Sequence, residues 1–277
     1  MIMEKIPCSV AMLTYNSEKT LRRALESVKD FDDIILCDGG STDQTFVIAQ
    51  EYGARVVPTD QKYNYADTNR LADGGGARNQ MMNAAKHDWY LWMDSDESIS
   101  PELRDDVSRI AQARLMEGDP LAYRVPIRII LDGKHILHSS NYPGYQFRFF
   151  NRKSGGHLTK RAHNRIKFDP GTVIGTLPNP WYVYYDSRDI KLLGGQWKHY
   201  RRVEIEMAAS RNFTSFLYFI YWHLRSSVGM TAKALYNYVR YGFSYTMPIS
   251  SELVRILNPL VLIYNSIVYR IRKKHNN

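Results

Sequence analysis

The residues best suited to chemistry are Asp94, Asp96 and Glu97, which close the apolar run Trp89 to Met93. Side chains alternate across a strand, so Asp94 and Asp96 face the same way if the extended form continues past Met93. Two neighbouring carboxylates repel each other unless a cation lies between them. Hard oxygen ligands on that spacing suit Mg2+ or Mn2+, with substrate phosphates completing the shell. The same letters also describe an acidic turn ahead of a helix. Pro101 and Glu102 open a helical pattern that Ser98 or Ser100 would cap.

The elements that must position these carboxylates are legible upstream. Ser9 to Asn16 is an apolar run with a polar end, the pattern of a buried parallel strand leading into a loop. Ser17 is placed to cap a helix whose apolar positions are Leu21, Ala24, Leu25 and Val28. Asp33 to Asp38 is a second buried strand, Gly39 to Asp43 a turn and helix cap, and the next helix stops at Gly53. Ala54 to Pro58 is a third strand. Strand, helix, strand, helix, strand predicts an α/β fold with a parallel sheet and right-handed crossovers. Ligands in such sheets bind beyond the carboxyl ends of the strands, where Tyr15, Asn16, Asp38 and Asp94 fall. Residues 59–73 read as an irregular polar loop. Gly74, Gly75 and Gly76 then open a helix with Arg78 in its first turns. That is either a phosphate-approach loop or a plain helix entry, and it fits neither the dinucleotide nor the P-loop spacing.

Further on, residues 122–138 alternate as a hairpin with Asp132-Gly133 at its turn. Gln146 to Phe150 forms another strand, with Arg148 on one face.

The chain has 277 residues and enough apolar content, 44% against 23% charged, for a real core. Cys8 and Cys37 lie in buried strands without metal-site spacing and read as reduced core thiols. The first residues are too short and polar for a secretory signal. Net charge is +9, and its distribution is uneven: residues 1–196 carry 25 Lys+Arg and 25 Asp+Glu, whereas residues 197–277 carry 12 and 3. An anionic partner is expected at the C-terminal part.

Four segments, Thr14-Tyr15-Asn16, Asp38 to Asp43, Gly76-Ala77-Arg78-Asn79 and Asp94 to Glu97, occur in an order and spacing that resemble the family 2 glycosyltransferases of the GT-A fold. Within them, Tyr142 to Arg152 is similar to a "Pro-x-x-Gln-x-Arg-Leu-Phe-x-Arg" stretch of the lipopolysaccharide core and lipooligosaccharide β-glycosyltransferases. The resemblance spans roughly residues 7–165. It implies that Thr14, Tyr15 and Asn16 line the nucleotide pocket, with Asp38 at the base or ribose. It also implies that Gly76 and Arg78 lie by the diphosphate or the donor sugar, that Asp94 contacts ribose or metal-bound water, and that Asp96 ligates the metal. Arg148 is expected in the pocket. Relatives follow this stretch with a His-Glu pair, where this chain has His163-Asn164. His163 is then a metal ligand or a base, and Asp132 and Glu97 are the other candidates for the base.

From about residue 194 the pattern changes to aromatic, basic helices. Phe213 to Leu224 carries no formal charge, residues 232–245 are tyrosine-rich, and Leu253 to Tyr269 precedes the basic residues 270–274. Neither apolar stretch reaches a clean membrane span of about 20 residues. The composition suits helices lying in an anionic membrane interface or packed on the core, and no nucleic-acid motif is present. The expected organisation is a catalytic domain over residues 1–193 and a helical, membrane-associating region over 194–277. The expected activity is metal-dependent, inverting transfer from a nucleotide-diphosphate sugar, UDP-linked by preference, to a lipid-linked glycan acceptor. It would take place on the cytoplasmic face of the membrane.

Overall fold

The computed structural model describes residues 4–63, 73–142, 144–159, 166–186, 201–202 and 204–275. The chain divides into two compact units. The first comprises residues 1–128 and 145–183, and the second comprises 129–144 and 184–277.

The first unit opens with β1 (Ile6–Thr14), α1 (Glu18–Val28), β2 (Phe31–Asp38), α2 (Thr45–Glu51) and β3 (Arg55–Pro58). It continues with α3 (Gly74–Asn83), β4 (Trp89–Asp94), β5 (Glu97–Ile99) and α4 (Pro101–Gln112). β1 pairs in parallel with β2 and with β4, and β2 with β3. This confirms the α/β reading and its parallel sheet. The strands are apolar on both faces because both faces are covered. Val10, Met12, Leu36, Leu91 and Met93 pack with Leu21, Leu25, Ile48, Leu103 and Val107 from α1, α2 and α4. Ala11, Ile35, Cys37, Tyr90 and Trp92 pack with Ala77, Met81 and Met82 from α3.

β6 (Ala122–Leu131) and β7 (Lys134–Ile136) form the expected hairpin, and Asp132 at its turn holds φ at 48°. Asp tolerates that left-handed region better than most residues. β8 (Tyr145–Asn151) joins β4 and the first half of β6, antiparallel to both. The remaining strands are β9 (His157–Leu158), β10 (Ile166–Lys167), β11 (Ile174–Thr176) and β12 (Trp181–Tyr185); Trp181 to Val183 pair antiparallel with β5.

Two local expectations change. Ser17 occupies the N-cap position of α1 but makes no capping bond. Its hydroxyl accepts the Tyr15 N–H at 3.2 Å and pairs with the Ser95 hydroxyl at 2.9 Å, so it ties two loops together instead. Ser100, not Ser98, caps α4, accepting the Leu103 N–H at 3.0 Å.

In the second unit, the uncharged Phe213–Leu224 run and most of the tyrosine-rich 232–245 stretch lie on one 29-residue helix, α5 (Phe213–Tyr241), capped by Asn212. It packs on α6 (Ile249–His275), which runs through Pro259 without stopping. Contrary to the sequence reading, Ile249–Lys273 is long and apolar enough to cross a membrane by length and composition. The two charges near its start are consumed locally. Glu252, only 2% exposed, accepts the Ser140 N–H at 2.8 Å and the Ser140 hydroxyl. Arg255 donates to Ser139 at 2.6 Å and Asn141 at 2.8 Å. The 139–141 loop therefore latches α6 to the β6–β7 hairpin.

Candidate active site

The carboxyl ends of β1, β2 and β4 lie side by side, with Thr14 opposite Asp38 and Leu13 opposite Asp94. The first two ends build one loop cluster. Asp38 accepts from the Thr14 hydroxyl at 2.9 Å, the Gly40 N–H at 2.9 Å and the Ser41 N–H at 2.7 Å. Asn16, at φ 47°, donates its N–H to Ser41 Oγ at 2.8 Å and accepts from the Thr42 N–H at 2.9 Å. This lattice presents the Tyr15 ring to solvent, half exposed, above Gly39, where an added Cβ would meet Tyr15 Cδ2 at 3.4 Å. Tyr15 is a ready stacking surface for a planar base.

The glycines before Arg78 lie inside the first turn of α3. The Gly76 N–H already donates to the capping Asp73 at 2.9 Å. A Cβ on Gly76 would sit 2.2 Å from Tyr63 Cε1, so close packing against Tyr63 accounts for that glycine.

β4 ends at Asp94, and Ser95-Asp96 turns. The extended form does not continue, so the alternation argument that paired Asp94 with Asp96 does not apply. The partner of Asp94 is Glu97 instead, whose Oε2 accepts the Asp94 N–H at 2.9 Å. Glu97 is 4% exposed and its other oxygen accepts from Arg148 Nη2 at 2.9 Å. Asp94 itself meets Arg78 Nη2 at 2.5 Å and Arg148 Nη2 at 3.8 Å. Both guanidiniums lie over the Trp92 ring, at 4.9 Å for Arg78 and 3.9 Å for Arg148, and Arg148 is also 4.8 Å from the Trp181 ring. Cations held over indole faces in a water-poor site gain attraction from the ring quadrupole. Two carboxylates and two guanidiniums thus form a fixed, nearly neutral cluster at one strand end.

The charges are unequal. Burial works against the Asp94 carboxylate, but Arg78 and Arg148 more than offset it and hold its pKa below the ordinary range. Burial pushes Glu97 up to about 7, with Asp94 and Asp96 adding to the rise and Arg148 opposing it. Of this coupled pair, Glu97 protonates first. Nearby protein atoms, then the Asp94 charge, raise the Asp96 carboxyl, and its open position toward solvent tempers that rise. The Asp96 backbone carbonyl accepts from Arg23 Nη2 at 3.1 Å.

Among the described residues, no group of three His, Cys, Asp or Glu side chains is gathered to hold a metal ion. Asp94 and Asp96 nevertheless fit a cation that takes one or two carboxylates from the protein and the rest of its shell from water and phosphate. Desolvation contributes most to the rise of the Asp96 carboxyl, and a cation would relieve the smaller part that comes from the Asp94 charge. His163 and Asn164 lie outside the described residues. Asp132 belongs to the second unit, where its N–H donates to the Tyr185 carbonyl at 3.0 Å.

Residues 9–165 match the glycosyl transferase family 2 profile, more than half of the chain. The chain belongs to glycosyl transferase family 2. An uncharacterized glycosyltransferase of Rickettsia felis is 30% identical over 219 residues, 77% of this chain and 68% of that protein. One from Rickettsia bellii is 32% identical over 123 residues, covering 44% of this chain, and the chain spans only 38% of that relative. Among solved structures, Staphylococcus aureus TarS 1–349 in complex with UDP-GlcNAc aligns at a TM-score of 0.48 and 16% identity, over 93% of this chain and 80% of that one.

Two site residues escaped the sequence reading. Trp92 carried a usable signal, since residues two apart share a strand face and Trp92 precedes Asp94 by two. Trp181 carried none, because it arrives from a strand more than 80 residues away along the chain.

Proposed function

We propose that this chain transfers a sugar, with inversion, from a nucleotide-diphosphate donor to a lipid-linked glycan. The observation that carries the reading is the Asp94–Arg78–Arg148–Glu97 cluster at the β4 end beside the Thr14–Asp38–Ser41 loops, in a family 2 chain. Tyr15 and the Asn16–Ser41 lattice would receive the nucleoside, UDP being the first donor to test. Arg78, 12% exposed at its side chain and over the Trp92 face, would meet a diphosphate oxygen. Asp94 and Asp96 would hold Mg2+ or Mn2+, whose chemistry is to neutralise charge on the departing diphosphate. Glu97 is sealed from solvent and fully engaged, so it orients Asp94 and Arg148. His163 is then left to take the proton from the acceptor hydroxyl.

The deciding experiment measures nucleotide-diphosphate release from a panel of sugar donors, with and without Mn2+, in the presence of membrane extract. Release that depends on donor and extract supports the reading; a folded protein that turns over no donor overturns it. His163→Gln should lower transfer about 100-fold while sparing donor binding, a typical general-base effect. Unchanged transfer removes His163 from the role of base.

The helical unit supports attachment to the inner face of the cytoplasmic membrane. α5 exposes Phe213, Leu217, Tyr221, Leu224 and Val228, and α6 exposes Leu253, Leu257, Leu260, Tyr264 and Ile267. With Glu252 and Arg255 tied to the 139–141 loop, the apolar part of α6, residues 256–269, spans only ~21 Å at 1.5 Å per residue. A bilayer core needs about 30 Å, which favours lying in the interface over crossing it.

A further inference from the structure

The serine that separates Asp94 from Asp96 is itself held, and by a residue next to the Thr14-Tyr15-Asn16 segment. Ser95 Oγ lies 2.9 Å from Ser17 Oγ, which also accepts the Tyr15 N–H at 3.2 Å. A hydroxyl offers one proton and two lone pairs, so Ser17 serves both partners at once. A serine at an N-cap ordinarily spends its oxygen on an N–H of its own helix. Here the Glu18 N–H, the first of α1, is met from another loop, donating to Asp43 Oδ2 at 3.1 Å. The Ser17 N–H donates to Thr45 Oγ1 at 2.8 Å, which fixes its backbone as well. Ser17 is only 8% exposed, and a hydrogen bond is stronger in such surroundings than in water.

The turn is gripped at a second point. Arg23, in the second turn of α1, donates from Nη2 to the Asp96 carbonyl at 3.1 Å. The start of α1 therefore holds Ser95 by its side chain and Asp96 by its backbone. Asp94 is placed independently, because it ends β4 and its N–H is bonded to Glu97. Asp96 stands on the turn itself, so the turn sets where its carboxylate points relative to Asp94.

We infer that Ser17 and Ser95 are positioning residues that couple nucleoside binding at Tyr15 and Asn16 to cation binding at Asp94 and Asp96. A nucleoside settled on the Tyr15 loop steadies the Ser17 hydroxyl, which steadies Ser95 and with it the Asp96 carboxylate. Such coupling is reciprocal, so a cation on the turn steadies the nucleoside by the same factor. The inference rests on the donor reading above and deepens it, because it makes the nucleoside a determinant of metal use. One hydrogen bond is the link, which sets the expected coupling at about fivefold.

The test titrates UDP, GDP, dTDP and CDP into the full chain calorimetrically, with and without Mn2+. The nucleoside of whichever diphosphate binds tightest is then titrated without metal. The metal gain is the ratio of the diphosphate affinities with and without Mn2+. Ser95→Ala should lower that gain about fivefold, the scale of one hydrogen bond, while leaving the affinity for the nucleoside unchanged. Ser17→Ala should lower the gain to the same degree and the double variant no further, because the two hydroxyls make one bond. A gain that Ser95→Ala leaves intact overturns the coupling, as do losses that add in the double variant. A nucleoside affinity that falls together with the gain also overturns it, since the bond then only braces the loop. A native chain that binds none of the diphosphates, or binds one without any metal gain, overturns the donor reading itself. The native titration thus separates that outcome from loss of the coupling.

Discussion

The two units use the same residue types in opposite ways. In the first, Trp89, Tyr90, Trp92, Phe149 and Phe150 are buried, and Trp92 serves as the floor under two guanidiniums. In the second, Tyr218, Tyr221, Trp222, Tyr236 and Tyr264 are all 48% exposed or more. Aromatic content by itself therefore says little, and what decides is whether a sheet face exists to cover the rings. The parallel strands have helices on both sides, so the rings on them, Phe31, Trp89, Tyr90 and Trp92, are enclosed. A pair of antiparallel helices can cover only the stripes that face each other, which leaves the outer stripes to whatever medium surrounds them. Arginines follow the same division. Arg148 is buried and ion-paired with Glu97 in the first unit, while in the second Arg202 is exposed beside Glu206; each unit leaves a buried arginine nitrogen unmet among the described residues, Arg148 Nη1 in one and Arg201 Nε in the other.

That contrast can be broken at its strongest point first. Arg148→Ala leaves Glu97 buried without a cation and should cost about 3–5 kcal/mol. Thermal unfolding followed by aromatic near-UV dichroism reads this loss. A destabilisation below about 1 kcal/mol would mean that the cluster is not the water-poor site its burial indicates. Asp94→Ala should reduce transfer about 100- to 1,000-fold, the scale of losing one preorganised electrostatic contact. Steady-state turnover checks it alongside a melting curve that stays cooperative.

The opposite end of the same sheet offers a control without catalytic consequence. Asp33, 1% exposed, accepts from Ser9 Oγ at 2.6 Å, the Lys86 N–H at 2.9 Å and Arg55 Nε at 2.9 Å. Burial opposes its charge, but these bonds outweigh burial and lower its pKa. A lowered folded-state pKa contributes stability above the ordinary carboxylate value, and that contribution is lost as pH falls through the lowered pKa. Asp33→Asn should therefore cost about 2 kcal/mol at neutral pH. The cost should shrink in acid, below about pH 4. Unfolding midpoints measured across that range decide it. The smallest effect is expected in the second unit. Trp222→Ser, at a half-exposed surface position, should change stability by no more than about 0.5 kcal/mol. It should nevertheless weaken flotation with anionic vesicles; an unchanged flotation would remove that face from the membrane contact.

Much of the loop cluster at the strand ends was legible because it is local in sequence. Thr14 to Asn16, Asp38 to Asp43 and Asp94 to Glu97 each sit at the end of one apolar run, and a parallel sheet brings such ends together without further information. The finer wiring was not legible. Asp94 was paired with Asp96 on the assumption of continuous extended backbone, but the chain turns at Ser95-Asp96 and returns Glu97 to the strand end. Ser17 looked like a cap and became a tie to Ser95, since a hydroxyl two residues from a loop N–H can satisfy either role. In the second unit the uncharged Phe213–Leu224 run and the tyrosine-rich 232–245 stretch were legible as helical, but not that one helix joins them. Thr231, between the two, bonds back to the Ser227 carbonyl at 2.9 Å, and α5 continues through it.

By itself, then, the sequence determined the order of elements, the two buried faces of the sheet and which strand ends carry polar groups. These follow from apolar periodicity and from turn residues, which act over a few positions. Tertiary structure alone decided the partners of each charge. Arg148 meets Glu97 across 51 positions, and the Trp181 ring reaches the same guanidinium from a strand beyond it. No local pattern encodes such a meeting. It arises because burying an arginine is favourable only where a carboxylate and aromatic faces are already fixed, and the fold supplies those from separate strands.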